Sequence, residues 1–312
     1  MAPISRRIVL AAAGALVLGG CEQRFEGARL TVSTGIRGAV YDQLGTVLAA
    51  AWAKNLDFTA NVLPSAGSGQ NLDRLLGAQA DVGFSAADAA AARAATTGGG
   101  HLQALTRMHD DYVQVVVPAS SPVKRLAELR GMRVSVGQAD SGVRLIADRL
   151  LAGVGLSGGT DVDRRPLAID DAADALYRGQ IDAFFWSGGL PTAQVTELAR
   201  RIPIRVVDLS DLLSQVSKQY QEYGAATLPG SAYQLADSVT TLLVPNLLLA
   251  TDRMSDAVAK ALTQGVFDAQ PALAAANRAA RSIDSRSGIE TSPVSLHPGA
   301  LAYYRAAHYV SG

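Results

Sequence analysis

The sequence has a single cysteine, Cys21, in 312 residues. One thiol excludes an intrachain disulfide framework and any metal site built on pairs of cysteines. Aromatic residues make up only 5% of the chain, and basic and acidic side chains balance at 28 each. Proteins that bind nucleic acid usually carry a basic face, so we expect no nucleic acid partner. Small residues are abundant instead, which indicates closely packed helices in an ordinary globular body.

The motifs of several common enzyme classes are also missing. No G-x-x-x-x-G-K-[ST] loop occurs, and the four histidines lie far apart, with no H-E-x-x-H pattern. We expect surface or structural roles for them; they are His101, His109, His297 and His308. The letters "GLSGG" at 155–159 fit G-x-S-x-G, but they follow a predicted helix, whereas a nucleophile elbow needs a preceding strand. We therefore expect no catalytic residues, no metal and no cofactor.

The first twenty residues predict an export signal. Arg6 and Arg7 precede an apolar run, 8–18, that is too short to span a bilayer comfortably. The letters "LGGC" before and at Cys21 resemble a bacterial lipobox, and "SRRIVL" resembles a twin-arginine signal. We predict cleavage of residues 1–20, lipidation of Cys21 and a periplasmic lipoprotein exported by the Sec or Tat route. An incidental cysteine in the signal peptide is the alternative.

Strand and helix patterns alternate along the rest of the chain. Short predicted strands such as "LTVS" and "ADVGFS" each precede a helical stretch, and the series restarts after the longer β-branched run "DYVQVVVPA". A β-α-β series indicates a parallel sheet with helices on its faces. The long apolar run "TTLLVPNLLLAT" then carries the chain back. We predict an α/β protein with one lobe from 28–115 plus 240–312, a second from 116–239, and two hinge crossings beside a cleft.

Loops rich in glycine and serine follow five of the predicted strands. They are "TGIRGAVY", "PSAGSGQN", "SAAD", "GQADSGVR" and "SGGLPT". One such loop is usually no more than a capped turn. Five of them at the carboxyl ends of strands, most opening a helix, favour a binding site in the cleft. Helix N-termini and hydroxyls suit an anion without a metal.

Four segments resemble the TAXI family of TRAP-transporter solute receptors, and the resemblance runs from about residue 29 to 310. The segments are "TGIRGAVY", "GSGQNLDRLLGAQADVGF", "VSVGQADSGVR" and "IDAFFWSGGLPT". The resemblance implies a type II periplasmic-binding-protein fold that delivers a small organic acid or acidic amino acid to an ion-driven permease. We expect a monomeric receptor, not an enzyme, with TRAP permease subunits as partners. The alternatives are an exported hydrolase with a hydroxyl nucleophile and a sensing lobe of a membrane signalling protein.

The resemblance places thirteen candidate residues around the solute. They are Thr34, Gly35, Arg37, Gly38, Tyr41, Ser65, Ser68, Asn71, Ser85 and Asp88 in the first lobe, and Ser141, Arg144 and Ser187 in the second. Arg37 and Arg144 are the candidate counter-charges, since a guanidinium pairs with a carboxylate through two hydrogen bonds. Exposure on loop surfaces is the alternative for both. Asp88 either caps its helix or accepts a ligand ammonium.

Overall fold

A computed structural model describes residues 24–139 and 141–307. The predicted signal peptide, the lipidation site Cys21 and His308 lie outside the described residues. Strands and helices alternate through the described ranges, as the sequence pattern predicted. Within these ranges no helix has both the length and the hydrophobicity that a membrane crossing requires.

The strands and helices have the following bounds. The strands are β1 (Arg29–Ser33), β2 (Thr59–Leu63), β3 (Val82–Ala86), β4 (Leu102–Pro118), β5 (Arg133–Ser135), β6 (Asp163–Arg165), β7 (Ala183–Gly188), β8 (Ile204–Val206), β9 (Gly224–Leu228) and β10 (Val239–Thr251). The helices are α1 (Val40–Leu56), α2 (Ser68–Leu76), α3 (Ala87–Ala94), α4 (Gly142–Gly153), α5 (Ile169–Tyr177), α6 (Ala193–Arg201), α7 (Leu213–Gln219), α8 (Asp256–Asp268), α9 (Gln270–Ala276), α10 (Ser285–Gly288) and α11 (Pro298–Ala306).

These strands form one mixed sheet in the order β2-β1-β3-β10-β4-β7-β5-β6, with β8 beside β4 and β9 beside β10. β1 runs parallel to β2 and β3, and β5 runs parallel to β6 and β7. The long strands β4 and β10 lie antiparallel to each other at the centre, and each extends from one parallel group to the other. They are the two crossings that the sequence predicted.

Each parallel group has a hydrophobic core on both of its faces. In β10, Leu248 packs with Trp52 on one face, whereas the neighbouring Leu247 packs on the other, because side chains alternate along a strand. In β7, Phe184 and Phe185 enter different cores for the same reason. Helices cover these cores, so the molecule has two α/β lobes. The boundaries that we predict at 115/116 and 239/240 remain predictions.

Several short stretches differ from what the sequence pattern predicts. Residues 123–129, where the pattern predicts a helix that ends at Gly131, contain a single 3₁₀ turn, Leu126–Leu129. The chain turns soon afterwards at Gly131, whose φ of +76° is a conformation that favours glycine. Four short elements were not predicted, because segments of four to seven residues carry too little periodicity to stand out; they are α7, β9, α9 and α10.

The crossing strands are irregular at the point where they pass between the lobes. Between the pairs Pro245–Asp110 and Leu247–Arg107, β4 has two residues and β10 has one. The extra residue makes a β-bulge, which bends a strand and redirects its side chains. Pro245 adds to the irregularity because it has no N–H to donate. The two β4 residues in this bulge are Met108 and His109.

Candidate functional site

A cleft between the lobes holds a cavity of about 230 Å³ beside the crossing strands. The first lobe lines it with residues from its first two loops, and the second lobe lines it with residues from the ends of β5, β6 and β7. The lining is mostly apolar and includes Ile36, Val40, Ala86, Val143, Ile146, Leu167, Ile169, Phe185 and Trp186. Such a cavity suits a small organic molecule with a few polar groups.

Four helices begin at this cavity. Its lining contains residues 39–41 at the start of α1, 67–68 at α2, 141–143 at α4 and 168–170 at α5. The first N–H groups of a helix lack partners within the helix and carry the positive end of its dipole. Gly67, with a φ of +126°, allows the sharp turn into α2. Four helix starts around one cavity favour an anion, without the help of a metal.

Five of the thirteen candidate residues line the cavity: Gly35, Tyr41, Ser68, Ser141 and Ser187. The ring of Tyr41 stacks on Phe84 with centroids 5.2 Å apart, and its hydroxyl donates to Asn246. The hydroxyl of Ser141 caps α4 by accepting a hydrogen bond from a backbone N–H of the first turn at 3.2 Å. These contacts hold the lining side chains in fixed orientations.

The other eight candidates do not line the cavity: Thr34, Arg37, Gly38, Ser65, Asn71, Ser85, Asp88 and Arg144. Several of them hold the binding loops in place from behind. The buried amide of Asn71 donates to the carbonyls of Thr34 and Phe84 at 2.6 and 2.8 Å. The hydroxyl of Ser65 donates to the same Thr34 carbonyl at 3.0 Å, and that of Ser85 donates to Ala86. The donors of these side chains are hydrogen-bonded to backbone carbonyls and do not point to a solute.

Neither candidate arginine faces the cavity. Arg37 is exposed, and the Nε of Arg144 donates to Asp148, one turn further along α4, at 2.8 Å. In the described part of the chain no lysine or arginine lines the cavity. A bound carboxylate would therefore meet backbone N–H groups and hydroxyls.

Replacing Arg37 or Arg144 with alanine should change the dissociation constant of the bound solute by less than about threefold. An arginine that stays in solvent contributes under about 1 kcal/mol and acts mainly on the salt dependence of association. Isothermal calorimetry on the two single variants measures this. A loss of 30-fold or more in either variant would place that guanidinium on the solute.

Asp88 belongs to a polar network that joins the two lobes. Its buried carboxylate accepts a hydrogen bond from the hydroxyl of Tyr223 at 2.8 Å, and this hydroxyl accepts one from Arg149 at 3.0 Å. Arg149 also pairs with Glu222 at 2.8 Å. Burial raises the pKa of Asp88, while Tyr223 and Arg149 act in the opposite direction. Asp88 also accepts from the N–H of Ala89 at the start of α3, so its oxygens are already engaged.

Two residues on the floor of the cavity were missed by the sequence analysis. These are His109 and Asp111 of β4, with 3.6 Å between Nε2 and Oδ1. His109 is 1% exposed, and neither of its ring nitrogens has a hydrogen-bond partner among the described residues. Burial lowers the pKa of His109 to about 4 and raises that of Asp111 to about 7. The signal that could have found them is the polar triplet "HDD" next to the apolar run of β4.

The described ranges contain no cluster of histidine, cysteine, aspartate or glutamate side chains able to hold a metal ion. The candidate site is thus an interlobe cavity with apolar walls, helix starts around it and a His–Asp pair on its floor.

Comparisons with known proteins agree with this architecture. The sequence profile of the NMT1-like family matches residues 32–307. The periplasmic aliphatic sulphonate binding protein SsuA from Escherichia coli is 19% identical, with a TM-score of 0.50 over 89% of this chain and 83% of SsuA. MatC from Rhodopseudomonas palustris, solved with bound malate, is 15% identical, with a TM-score of 0.55 over 92% of this chain and all of MatC, 100%. A protein from Xanthomonas citri bound to ATP is 16% identical, with a TM-score of 0.56, over 91% and 100% of the two chains. At these identities the likeness shows the fold, which is the two-lobed fold of periplasmic binding proteins.

Proposed function

The chain belongs to the NMT1-like family, and from this we propose that it is an extracytoplasmic solute receptor of a TRAP-type secondary transporter. In this proposal it binds a small organic acid or an acidic amino acid between its lobes and delivers it to the membrane permease. The observation that carries the proposal is the convergence of four helix N-termini on one interlobe cavity. Malate in MatC and the sulphonate specificity in the name of SsuA support an anionic solute.

The starts of α2 and α4 come close to each other across the cleft. A Cβ added to Gly142 of α4 would lie 3.9 Å from the hydroxyl of Ser68 in α2. A carboxylate held there accepts hydrogen bonds from both lobes, so its binding favours the state in which the lobes are together. Gly35, Tyr41, Ser68, Ser141 and Ser187 are the candidate contacts that we retain. The role requires no covalent chemistry.

Lipidation and the partner complete the proposal. A lipid on Cys21 would hold the receptor at the membrane that contains the permease, and the resemblance to the TAXI family supports the TRAP type of permease. We propose the periplasm as its compartment, because the similar folds of SsuA and others belong to periplasmic proteins.

The nature of the bound molecule tests the proposal directly. Mass spectrometry of ligand extracted from the purified protein should find an unmodified carboxylic acid that rebinds with the same stoichiometry. A thermal-shift screen of small carboxylates and amino acids then ranks candidates. Turnover of a supplied ester or amide would instead support an exported hydrolase.

Binding should also make the protein more compact. If β4 and β10 act as hinges, a saturating ligand lowers the radius of gyration while the secondary structure stays constant. Small-angle scattering and circular dichroism measure the two quantities on the same samples. Identical scattering curves with and without ligand would contradict a closing cleft.

A further inference from the structure

We infer that His109 and Asp111 form a subsite for an ammonium group of the solute, so that the receptor selects amino acids over acids that lack the amino group. The inference rests on the proposed function, because it assigns the second end of the same ligand. The helix starts take the carboxylate, and the floor of the cavity takes the ammonium.

Asp111 is a carboxylate without a lysine or arginine partner among the described residues. Its side chain is 15% exposed, and its polar neighbours are His109 and Asn246. The adjacent Asp110, by contrast, pairs with Arg107 at 2.7 Å. No lysine or arginine in the described ranges forms an ion pair with Asp111. A largely buried carboxylate is stable only with a proton or a cation beside it, so a ligand that brings the cation is favoured.

His109 adds an acceptor to this carboxylate. Its imidazole is neutral at physiological pH, because burial lowers its pKa to about 4, and one of its two ring nitrogens is then free to accept a hydrogen bond. An ammonium group has three N–H donors and can reach the carboxylate and the imidazole together. Both ring nitrogens are buried and unpartnered among the described residues, so a polar group of the solute satisfies a group that the protein leaves without a partner.

A second carboxylate is the wrong group for this end of the cavity. It would meet the negative charge of Asp111, and the charges of Asp110 and Asp88 add to the same field. The hydroxyl of Tyr41, a possible donor, is already bonded to Asn246. The lining thus rejects an anion on the floor of the cavity, although it attracts one at the helix starts.

Matched pairs of ligands test this selectivity. The amino acids that have a primary α-amino group and the matching acids that lack only this group are screened by thermal shift, and the best pair is measured by calorimetry. The amino acid of that pair should bind at least about 30-fold more tightly, because losing one partner of a desolvated charge pair has effects of this size.

Asp111→Asn should remove this preference, while Asp73→Asn should keep it. Asp73 of α2 lies outside the cavity lining, and its side chain is 63% exposed and pairs with Arg93 at 2.6 Å, so this variant controls for the loss of one negative charge away from the binding site. Circular dichroism is used to check that both variants are folded.

Wild-type protein should release protons when it binds the amino acid near pH 7, because an ammonium favours the ionised form of Asp111. Asp111→Asn should release none, since asparagine does not ionise. The titratable groups that face Asp111 are His109, Asp110, Asp88 and Tyr41.

The outcomes separate this inference from the proposed function. Equal binding by both members of the best pair, or an unchanged preference in Asp111→Asn, overturns the ammonium subsite and leaves a carboxylate receptor standing. Binding of dicarboxylates or hydroxy acids with no binding of any amino acid has the same meaning. Failure of every carboxylate in the screen overturns the proposed function as well.

Discussion

Replacing Arg149 with alanine should lower the free energy of unfolding by about 3 to 5 kcal/mol. The side chain of Arg149 is 12% exposed, and that of its partner Glu222 is 6% exposed. Alanine leaves the Glu222 carboxylate buried without a cation and removes the donor to the hydroxyl of Tyr223, on which Asp88 of the other lobe depends. The guanidinium also packs on the ring of Tyr220, 4.1 Å from its centroid. Urea denaturation followed by fluorescence measures the change.

Arg200→Ala is the matched control for this substitution. Arg200 also pairs with a glutamate, Glu197, at 3.4 Å, but its side chain is 66% exposed, so we expect a loss below about 1 kcal/mol. The double variant Arg149→Met with Glu222→Gln should recover part of the stability, because it leaves no unpaired charge. An equal, small loss in Arg149→Ala and Arg200→Ala would show that the buried network does not stabilise the fold.

The second large effect is a pH-dependent difference in the free energy of unfolding between wild-type protein and Asp111→Asn. The pKa of Asp111 is raised to about 7 in the folded protein and is near 3.9 in the unfolded chain. The folded state therefore binds the extra proton between these values, and wild-type stability falls as the pH rises from about 4 to about 7. Asparagine does not ionise, so the variant should gain up to roughly 4 kcal/mol relative to wild type above pH 7 and little near pH 4.

Urea denaturation of both ligand-free proteins at about pH 4.5, 6 and 8 measures this difference, because these values cover the interval between the pKa of Asp111 in the unfolded chain and in the folded protein. His109 has its pKa lowered by burial and acts in the opposite direction in both proteins. Because it lies 3.6 Å from Asp111, the difference between the two proteins reports on this pair of residues together. Asp73→Asn serves again as the control for the loss of one negative charge, and its free energy of unfolding should follow that of wild type across the three pH values. If the free energies of unfolding of wild type and Asp111→Asn change with pH in the same way, Asp111 keeps an ordinary pKa in the folded protein.

The sequence was sufficient for most of the architecture because its periodic pattern is local. β-Branched runs followed by glycine-rich turns predicted β1, β2 and β3 with their helices, and the two long apolar runs predicted the crossings. The joining of both lobes into one mixed sheet could not be predicted, since it depends on pairing between residues such as Ala86 and Asn246 that are far apart in the chain.

The candidate site was harder because the same residue types bind solutes and support loops. Ser68 and Asn71 lie in one loop-and-helix segment, yet Ser68 lines the cavity and Asn71 bonds to backbone carbonyls. Which of these occurs is decided by neighbours from other strands. His109 is a clearer example: it lines the cavity together with Asp111, two residues further along β4, and the face of β4 that meets the cavity is set by its pairing with distant strands.

The late position of strand β10 in the chain determines when the two lobes can complete their folding. It pairs with β3 of the first lobe through Asn246–Leu249 and with β9 of the second lobe through Val239–Leu243, so both lobes need it. The ribosome reaches it only after it has synthesised β5 to β9. Joining strands across such a long loop is slow, because the entropy of closure is lost before the contacts form. A chain that stops before residue 239 therefore leaves both parallel groups of the sheet without this strand, and neither lobe is complete until β10 has been added.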